Sequence, residues 1–76
     1  MFSKNIFSER LFELRKERAI NQATLAGALG VSSHQVSKME KAQRAASIEV
    51  MCALADYFNV SLDYLVGRTD KPEVNR

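Results

Sequence analysis

Few side chains in this sequence could take part in chemical catalysis. The chain has one histidine, His34, one cysteine, Cys52, and no tryptophan. A base-activated nucleophile, a disulfide framework and a multi-thiolate metal site all need more residues of these types. The sequence therefore predicts no enzyme, no metal site and no bound cofactor. Cys52 falls within an apolar stretch, and we expect it to be a small buried side chain.

The positive charge in one short segment indicates a different chemistry, the binding of a polyanion. The chain carries 11 Lys and Arg against nine Asp and Glu, which gives a net charge of +2. Three cations and one acid stand close together: Lys38, Lys41, Arg44 and Glu40. Such an excess can raise the concentration of a polyanion near one face, but a solvated charged loop would carry the same residues. On charge alone both interpretations stay open.

The elements that must position these residues are helices of a single small domain. Seventy-six residues, of which 46% are hydrophobic and 26% charged, suit one globular domain with a compact core. Three glycines and one proline are too few to punctuate a fold of many strands, which favours an all-α class. The sequence has no apolar run near the roughly 18 residues of a membrane span and no signal peptide. We therefore expect a cytoplasmic protein without a membrane partner.

Apolar spacing predicts five helices and a C-terminal tail. Phe7, Leu11 and Leu14 recur at i, i+4 and i+7, the pattern of a helix with one buried stripe. The fourth helix has a stripe of the same period, formed by Ile48, Met51, Leu54, Ala55 and Phe58. The predicted helices are residues 5–18, 22–29, 33–40, 48–58 and 62–66. They form a domain of residues 1–67, and the polar residues 68–76 are expected to be a flexible tail.

The residues at the predicted helix ends agree with these bounds. Side chains that can cap a helix N-terminus stand before four of the helices: Asn21, Ser32, Ser47 and Ser61. Gln35, three positions after Ser32, would complete a capping box. Gly30 can adopt the left-handed conformation that ends a helix, and Gly67 can do the same for the last one. The second and third helices are therefore joined by a turn of only a few residues.

The segment from Gln22 to Glu40 meets the requirements of a helix-turn-helix. Ala26 is small where the two helices must approach closely, and Gly30 permits the turn. The apolar side chains that could lock the two helices together are Leu25, Leu29, Val31, Val36 and Met39. In such a pair the second helix can enter the major groove of DNA. Because short helical pairs with a glycine turn also occur by chance, this pattern alone leaves the function open.

A longer stretch resembles a known family. The sequence LRKERAINQATLAGALGVSSHQVSKMEKAQR, followed by ALADYFNVSLDYLVGRTD, is similar to the helix-turn-helix regulators of the phage-repressor and Cro type, also called the Xre family. The likeness covers about residues 6 to 70 and includes Gln22, Leu25, Ala26, Leu29, Gly30, Val31, Ser32, Val36, Ser37 and Glu40. It implies a compact, lambda-repressor-like five-helix bundle that regulates transcription by binding double-stranded operator DNA. We expect a homodimeric repressor that binds a near-palindromic operator.

Helical periodicity and the resemblance together indicate which residues would contact DNA. Since Val36 and Met39 face the core, the opposite face of the third helix is expected to read base edges. That face presents Ser33, His34, Ser37, Lys38 and Lys41, with Gln35 nearer its margin. The residues expected to contact bases are Ser33, His34, Gln35, Ser37 and Lys38. Phosphate contacts are expected from the helix N-termini and from the loop after the third helix: Asn21, Gln22, Ser32, Lys41, Gln43 and Arg44. A merely solvated polar face, with His34 exposed and without a partner, is the alternative.

The resemblance also concerns residues that hold the fold. Arg15 and Glu40 stand where members of the family often have an ion pair that ties the first helix to the end of the third; two solvated charges are the alternative. Ala42 and Ala46 replace the frequent Gly and Pro, which predicts a more helical loop or displaced phosphate contacts. Ala19 stands where Gly is usual, which predicts a slightly different exit from the first helix.

The C-terminal third of the chain is more apolar than a small core requires. Some of the residues between Tyr57 and Val66 are expected to close the core, and those from Tyr64 to Val66 could form a dimer patch. Packing within the core alone is the other interpretation of this patch. For the whole protein, a second hypothesis is an antitoxin-like or adaptor module that binds a protein partner. The partners considered besides DNA are a second protein and an antirepressor.

Overall fold

The computed structural model of the protein describes residues 3–74, so the outermost residues of the predicted domain and tail, 1–2 and 75–76, lie outside it. This range contains five helices, α1 Lys4–Glu17, α2 Gln22–Leu29, α3 Ser33–Glu40, α4 Ile48–Phe58 and α5 Leu62–Leu65, and no strand. The predicted all-α class is confirmed, and the helix bounds agree with the prediction to within one residue. No helix in the described range has the length and hydropathy needed to cross a membrane.

The core is built from one face of every helix. The largest fully buried side chains come from all five: Phe7, Leu11, Leu25, Val36, Met39, Leu54, Phe58 and Leu65. Val36 and Met39 are the contribution of α3, and both have no exposed surface. Removal of such side chains from water is the main favourable term in folding. Because the core takes up only this inner face of α3, the opposite face is left to solvent.

Each helix is preceded by a residue whose side chain caps its N-terminus. The side-chain oxygens of Ser3, Asn21, Ser32, Ser47 and Ser61 accept hydrogen bonds from the backbone N–H three positions later. Four of these caps follow from the sequence, whereas Ser3 was not predicted. Only half of the expected capping box forms: the Gln35 N–H donates to the Ser32 hydroxyl, whereas within residues 3–74 the Gln35 side chain does not accept from the Ser32 N–H. A cap of this kind stabilises a helix by about 1 kcal/mol.

Each helix is also followed by a residue in the left-handed conformation. These residues are Ala19, Gly30, Ala42, Asn59 and Gly67, with φ of 53°, 74°, 59°, 54° and 86°. After Ala19 and Ala42 the next N–H reaches back into the last helical turn, from Ile20 to the Arg15 carbonyl and from Gln43 to the Lys38 carbonyl. This Schellman arrangement is usually formed with glycine. The prediction of a more helical loop at Ala42 is therefore wrong, since α3 stops in a tight turn. The chain leaves α1 at Ala19 by the same type of turn.

Replacing Ala42 or Ala19 with glycine is expected to stabilise the domain by about 0.5–1 kcal/mol each. The left-handed conformation costs an L-residue about 1–2 kcal/mol, and the larger entropy of glycine in the unfolded chain offsets part of that gain. Urea unfolding at 25 °C would measure the difference. Ala28→Gly, in the right-handed α2, is the matched control and should cost about 1 kcal/mol. Destabilisation of all three variants would contradict the assignment of strain to Ala19 and Ala42.

Two side chains of α4 that were expected to be buried are exposed. Ile48 is 66% exposed, because it is the first residue of the helix and lies at the outer end of the apolar stripe. Cys52 is also exposed. The buried stripe of α4 runs through Met51 and Leu54, and Cys52, one residue after Met51, is rotated by about 100° out of it. The assignment of Cys52 as a small buried hydrophobic residue is therefore wrong.

Arg10 ties the segment after α5 to the domain. Its Nη1 donates hydrogen bonds to the carbonyl oxygens of Tyr64 and Thr69, and its Nη2 donates to Asp70 Oδ1 at 3.0 Å. The guanidinium also lies 4.2 Å from the centre of the Tyr64 ring, in a cation–π contact. Residues of the expected flexible tail are thus held against the domain by a side chain of α1.

The apolar residues near the C-terminus pack largely against the core. The Ser61 N–H donates to the Pro72 carbonyl at 2.9 Å, which places the segment beside the start of α5. Leu65 is fully buried, while Tyr64 and Val66 are partly buried and pack against the core. The residues from Tyr64 to Val66 therefore serve mainly to close the core, and they offer a second copy only a reduced apolar surface.

Candidate nucleic-acid interface

The outer face of α3 carries five polar side chains. Ser33 and His34 are exposed, and Gln35, Ser37 and Lys38 are partly buried. Among residues 3–74, none of the side-chain hydrogen bonds or ion pairs involves these five side chains. Hydroxyl, imidazole, amide and ammonium groups together supply both donors and acceptors. The structure thus leaves this set free to meet an external partner.

The N-termini of α2 and α3 are capped in the same way. Asn21 Oδ1 accepts the Thr24 N–H at 2.7 Å, and the Ser32 hydroxyl oxygen accepts the Gln35 N–H at 3.1 Å. Both oxygens are therefore engaged within the chain, although the Ser32 hydroxyl still has its own hydrogen to donate. The backbone N–H groups of the first turn have no acceptor inside the helix and carry its positive dipole end. An anion at either helix start would meet these groups first.

The cations that follow α3 lie in the turn that ends it. Lys41, Gln43 and Arg44 are exposed, whereas the left-handed Ala42 between them is partly buried. The bond from the Gln43 N–H to the Lys38 carbonyl, 3.0 Å long, closes the turn onto the last turn of α3. Because the backbone is fixed in this way, the three polar side chains are held at the C-terminal end of α3.

A buried ion pair joins α1 to the end of α3. Arg15 Nε and Glu40 Oε2 are 2.5 Å apart, and Arg15 Nη2 donates to Glu40 Oε1 at 3.0 Å. The two side chains are only 10% and 5% exposed. A further bond, from Arg15 Nη1 to the Ile20 carbonyl at 2.9 Å, fixes the loop before α2. The hydrogen bond with Glu40 raises the pKa of Arg15 above its ordinary value, although burial acts in the opposite direction.

Gln22 contributes a third donor to this pair. Its Nε2 donates to Glu40 Oε1 at 3.0 Å, so that one carboxylate joins α1, α2 and α3. The family resemblance implied a phosphate contact for Gln22 and an ion pair between Arg15 and Glu40, but no feature of the sequence indicated a contact between Gln22 and Glu40. These residues are 18 positions apart, and only the packing of α2 against α3 brings them together.

The charges of the segment from α2 to the loop after α3 are unbalanced. Of the nine acids in the chain, eight lie outside residues 21–47. The ninth, Glu40, is neutralised by Arg15. Lys38, Lys41 and Arg44 therefore stand in this segment without an unpaired acid among them, which favours a negatively charged partner. In the described part of the chain, no group of acidic, histidine or cysteine side chains could hold a metal ion.

Comparison with known proteins identifies relatives over most of the chain. The family model described as helix-turn-helix matches residues 11–65. The HTH-type transcriptional regulator PrpR of Mycobacterium tuberculosis is 33% identical over 69 residues, 91% of this chain but 14% of that protein. The regulator AnsR of Bacillus subtilis is 35% identical over 60 residues, 79% of this chain and 52% of that protein. The chain thus spans a small part to about half of the length of these curated relatives.

Solved structures resemble this chain along most of its length. The P22 c2 repressor in complex with a synthetic operator is 33% identical, with a TM-score of 0.77, over 80% of this chain and 92% of that one. The P22 c2 DNA-binding domain in solution is 30% identical, with a TM-score of 0.78, over 96% and 95% of the two chains. The restriction-modification controller protein C.AhdI from Aeromonas hydrophila is 31% identical, with a TM-score of 0.74, over 82% and 94%.

Proposed function

The chain belongs to the helix-turn-helix family of phage-repressor and Cro type, a family of transcriptional regulators rather than of enzymes, and from this premise we propose that it binds double-stranded DNA with α3 in the major groove. The observation that carries the proposal is the outer face of α3. This face has five polar side chains without partners in the described residues, one of which is the cation Lys38. The cations Lys41 and Arg44 extend it, and the only acid of this segment, Glu40, is paired with Arg15. The inner face of the same helix is fully occupied by the core.

Sequence readout is assigned to the outer face of α3. Base edges in the major groove present different donors and acceptors for each base pair, and side chains of mixed polarity can distinguish them. Gln35 is suited to adenine, with which an amide forms two hydrogen bonds, and Lys38 is suited to guanine. Ser33, His34 and Ser37, whose side chains are shorter, are assigned further contacts to base edges.

Positioning on the DNA backbone is assigned to the helix starts and to the turn after α3. Gln22 and the free N–H groups at the start of α2 would grip one phosphate, and the Ser32 hydroxyl would meet another. Asn21 would contribute its backbone, because its side-chain oxygen already caps α2. The remaining phosphate contacts come from Lys41, Gln43 and Arg44. These contacts carry affinity and register rather than sequence information.

Two copies of the chain, bound as a homodimer, would read a near-palindromic operator. A single α3 reaches only a few base pairs, and a two-fold dimer places two such helices in successive major grooves, about 34 Å apart. Closed two-fold symmetry is also the commonest arrangement of protein oligomers. Occupation of the operator would repress transcription by excluding polymerase, which requires no chemistry from the protein.

Selection of sites from a random pool of double-stranded DNA tests the proposal. The selection should be made at about 0.15 M salt, where non-specific binding is weak. Enrichment of an inverted repeat would support a specific dimeric regulator and would supply its operator. Failure of the folded protein to enrich any sequence would contradict the proposal and would favour a protein-binding module.

Replacing Lys38 with alanine is expected to relax the preference for one base pair of the selected site. Loss of one good contact to guanine should reduce discrimination at that position by about 1–3 kcal/mol. Selection with the variant, combined with titration at several salt concentrations, would measure both effects. An unchanged base preference with a lower salt dependence would show that Lys38 contacts a phosphate instead.

A further inference from the structure

The side chain of Glu40 receives more hydrogen bonds than its ion pair requires. Arg15 already occupies both carboxylate oxygens, through Nε and Nη2. Oε1 then accepts a further bond from Gln22 Nε2, also 3.0 Å long. The carboxylate would be satisfied without Gln22, and so the pairing of charges gives no reason for this third bond. The bond does, however, determine the orientation of the Gln22 amide.

The orientation of the Gln22 amide matters because Gln22 lies at the N-terminus of α2. It is the first residue of α2, beside backbone N–H groups that have no acceptor within the helix. An amide nitrogen carries two hydrogens, and when one is donated to a fixed carboxylate, the direction of the other is fixed as well. A second donor is thus held at a helix start, where the dipole already favours an anion.

We propose that Glu40 is a positioning residue for DNA binding, which acts through Gln22 by holding the side-chain amide ready for a phosphate before DNA arrives. The inference rests on the proposed function. A carboxylate close to a phosphate would normally repel it, and Arg15 removes that penalty by neutralising Glu40. Preorganisation of this kind increases affinity because the side chain is not ordered at the moment of binding.

Stability and positioning can be separated by replacing the ion pair with apolar residues. The combined variant Arg15→Met/Glu40→Leu should remain folded, because apolar replacement of a buried ion pair is often neutral or stabilising. It nevertheless removes the acceptor of Gln22. We expect its affinity for the DNA duplex enriched by selection to fall by about tenfold, and that of Gln22→Ala by a similar factor. Adding Gln22→Ala to the combined variant should change the affinity by less than about twofold.

Gln43→Ala is the matched control, since Gln43 is a second glutamine assigned to a phosphate and has no contact with Glu40. Its effect should be the same in the original protein and in the combined variant. The inference about Glu40 would be overturned if the folded combined variant bound DNA with normal affinity. It would also be overturned if the effects of the combined variant and of Gln22→Ala were independent. Neither result would affect the proposed function. Failure of the original protein to enrich any DNA would overturn the proposed function, and this inference with it.

A measurement on the original protein avoids any dependence on the variants' folding. The two side-chain amide protons of Gln22 can be followed by NMR as the same duplex is added. The proton donated to Glu40 should keep its shift, and the other should move as it meets a phosphate. Equal movement of both protons, or fast rotation of the amide in the free protein, would contradict the role assigned to Glu40.

Discussion

Replacing Glu40 with alanine is expected to lower the free energy of unfolding by about 3–5 kcal/mol. The Arg15 side chain is only 10% exposed, and without Glu40 it keeps the Ile20 carbonyl as a partner while its charge stays buried and unpaired. A domain of this length has a total stability of roughly 4–11 kcal/mol. The variant should therefore be partly unfolded near 37 °C, and urea unfolding at low temperature would measure the loss.

Asp70→Ala is the matched control for Glu40→Ala. It also removes a carboxylate paired with an arginine, Arg10, but the Asp70 side chain is fully exposed. Exposed ion pairs contribute about 1 kcal/mol or less. The apolar combination Arg15→Met/Glu40→Leu should recover most of the stability that Glu40→Ala loses. Similar losses from Glu40→Ala and Asp70→Ala would contradict a special role for the buried pair.

Removing the two cations of the turn after α3 is expected to have the largest effect on DNA binding. Lys41→Ala/Arg44→Ala should weaken binding to the selected duplex by about 100-fold at 0.15 M salt. Each lost phosphate contact reduces the slope of log K against log salt by about 0.9, so a dimer would lose about 3.6. Titrations between low and moderate salt would measure the slope. The base preference should stay the same, because these residues are assigned to phosphates rather than to base edges.

The control for Lys41→Ala/Arg44→Ala is a double variant that removes two positive charges elsewhere on the surface. Lys71 and Arg68 are both exposed, and they lie in the segment that follows α5. Lys71→Ala/Arg68→Ala should leave the slope nearly unchanged. If both double variants lost the same slope, the net charge of the protein rather than the turn after α3 would account for binding.

The helices could be predicted from the sequence because their signals are local. A serine or asparagine can cap the N–H three positions later, and an apolar stripe of helical period marks the buried face. Both signals can be recognised without reference to the rest of the chain. Cys52 shows the limit of such signals, since a rotation of one residue decides whether a small apolar side chain is buried. The left-handed Ala42 has no signal of its own, because alanine prefers a right-handed helix. Its conformation is imposed by the hydrogen bonds that close α3.

Contacts between distant residues were predicted only where the family pattern supplied them. The pairing of Arg15 with Glu40 came from the resemblance, whereas Gln22 and Arg10 carry no sign of their partners. Arg10 contacts residues 54 to 60 positions away, and composition or spacing cannot indicate such a pairing. The polar face of α3 was expected from periodicity, and its side chains form no hydrogen bond or ion pair within residues 3–74. Which of its side chains touch bases stays a prediction.

The caps and left-handed turns have a consequence for how this protein can change over generations. They fix where α3 begins and ends, and Val36 and Met39 fix its inner face, so the outer side chains have no share in holding the fold. Substitutions at Ser33, His34 or Ser37 should therefore be nearly neutral for folding. A descendant of this gene could acquire a new target through a few codons in one eight-residue helix, without passing through an unfolded ancestor.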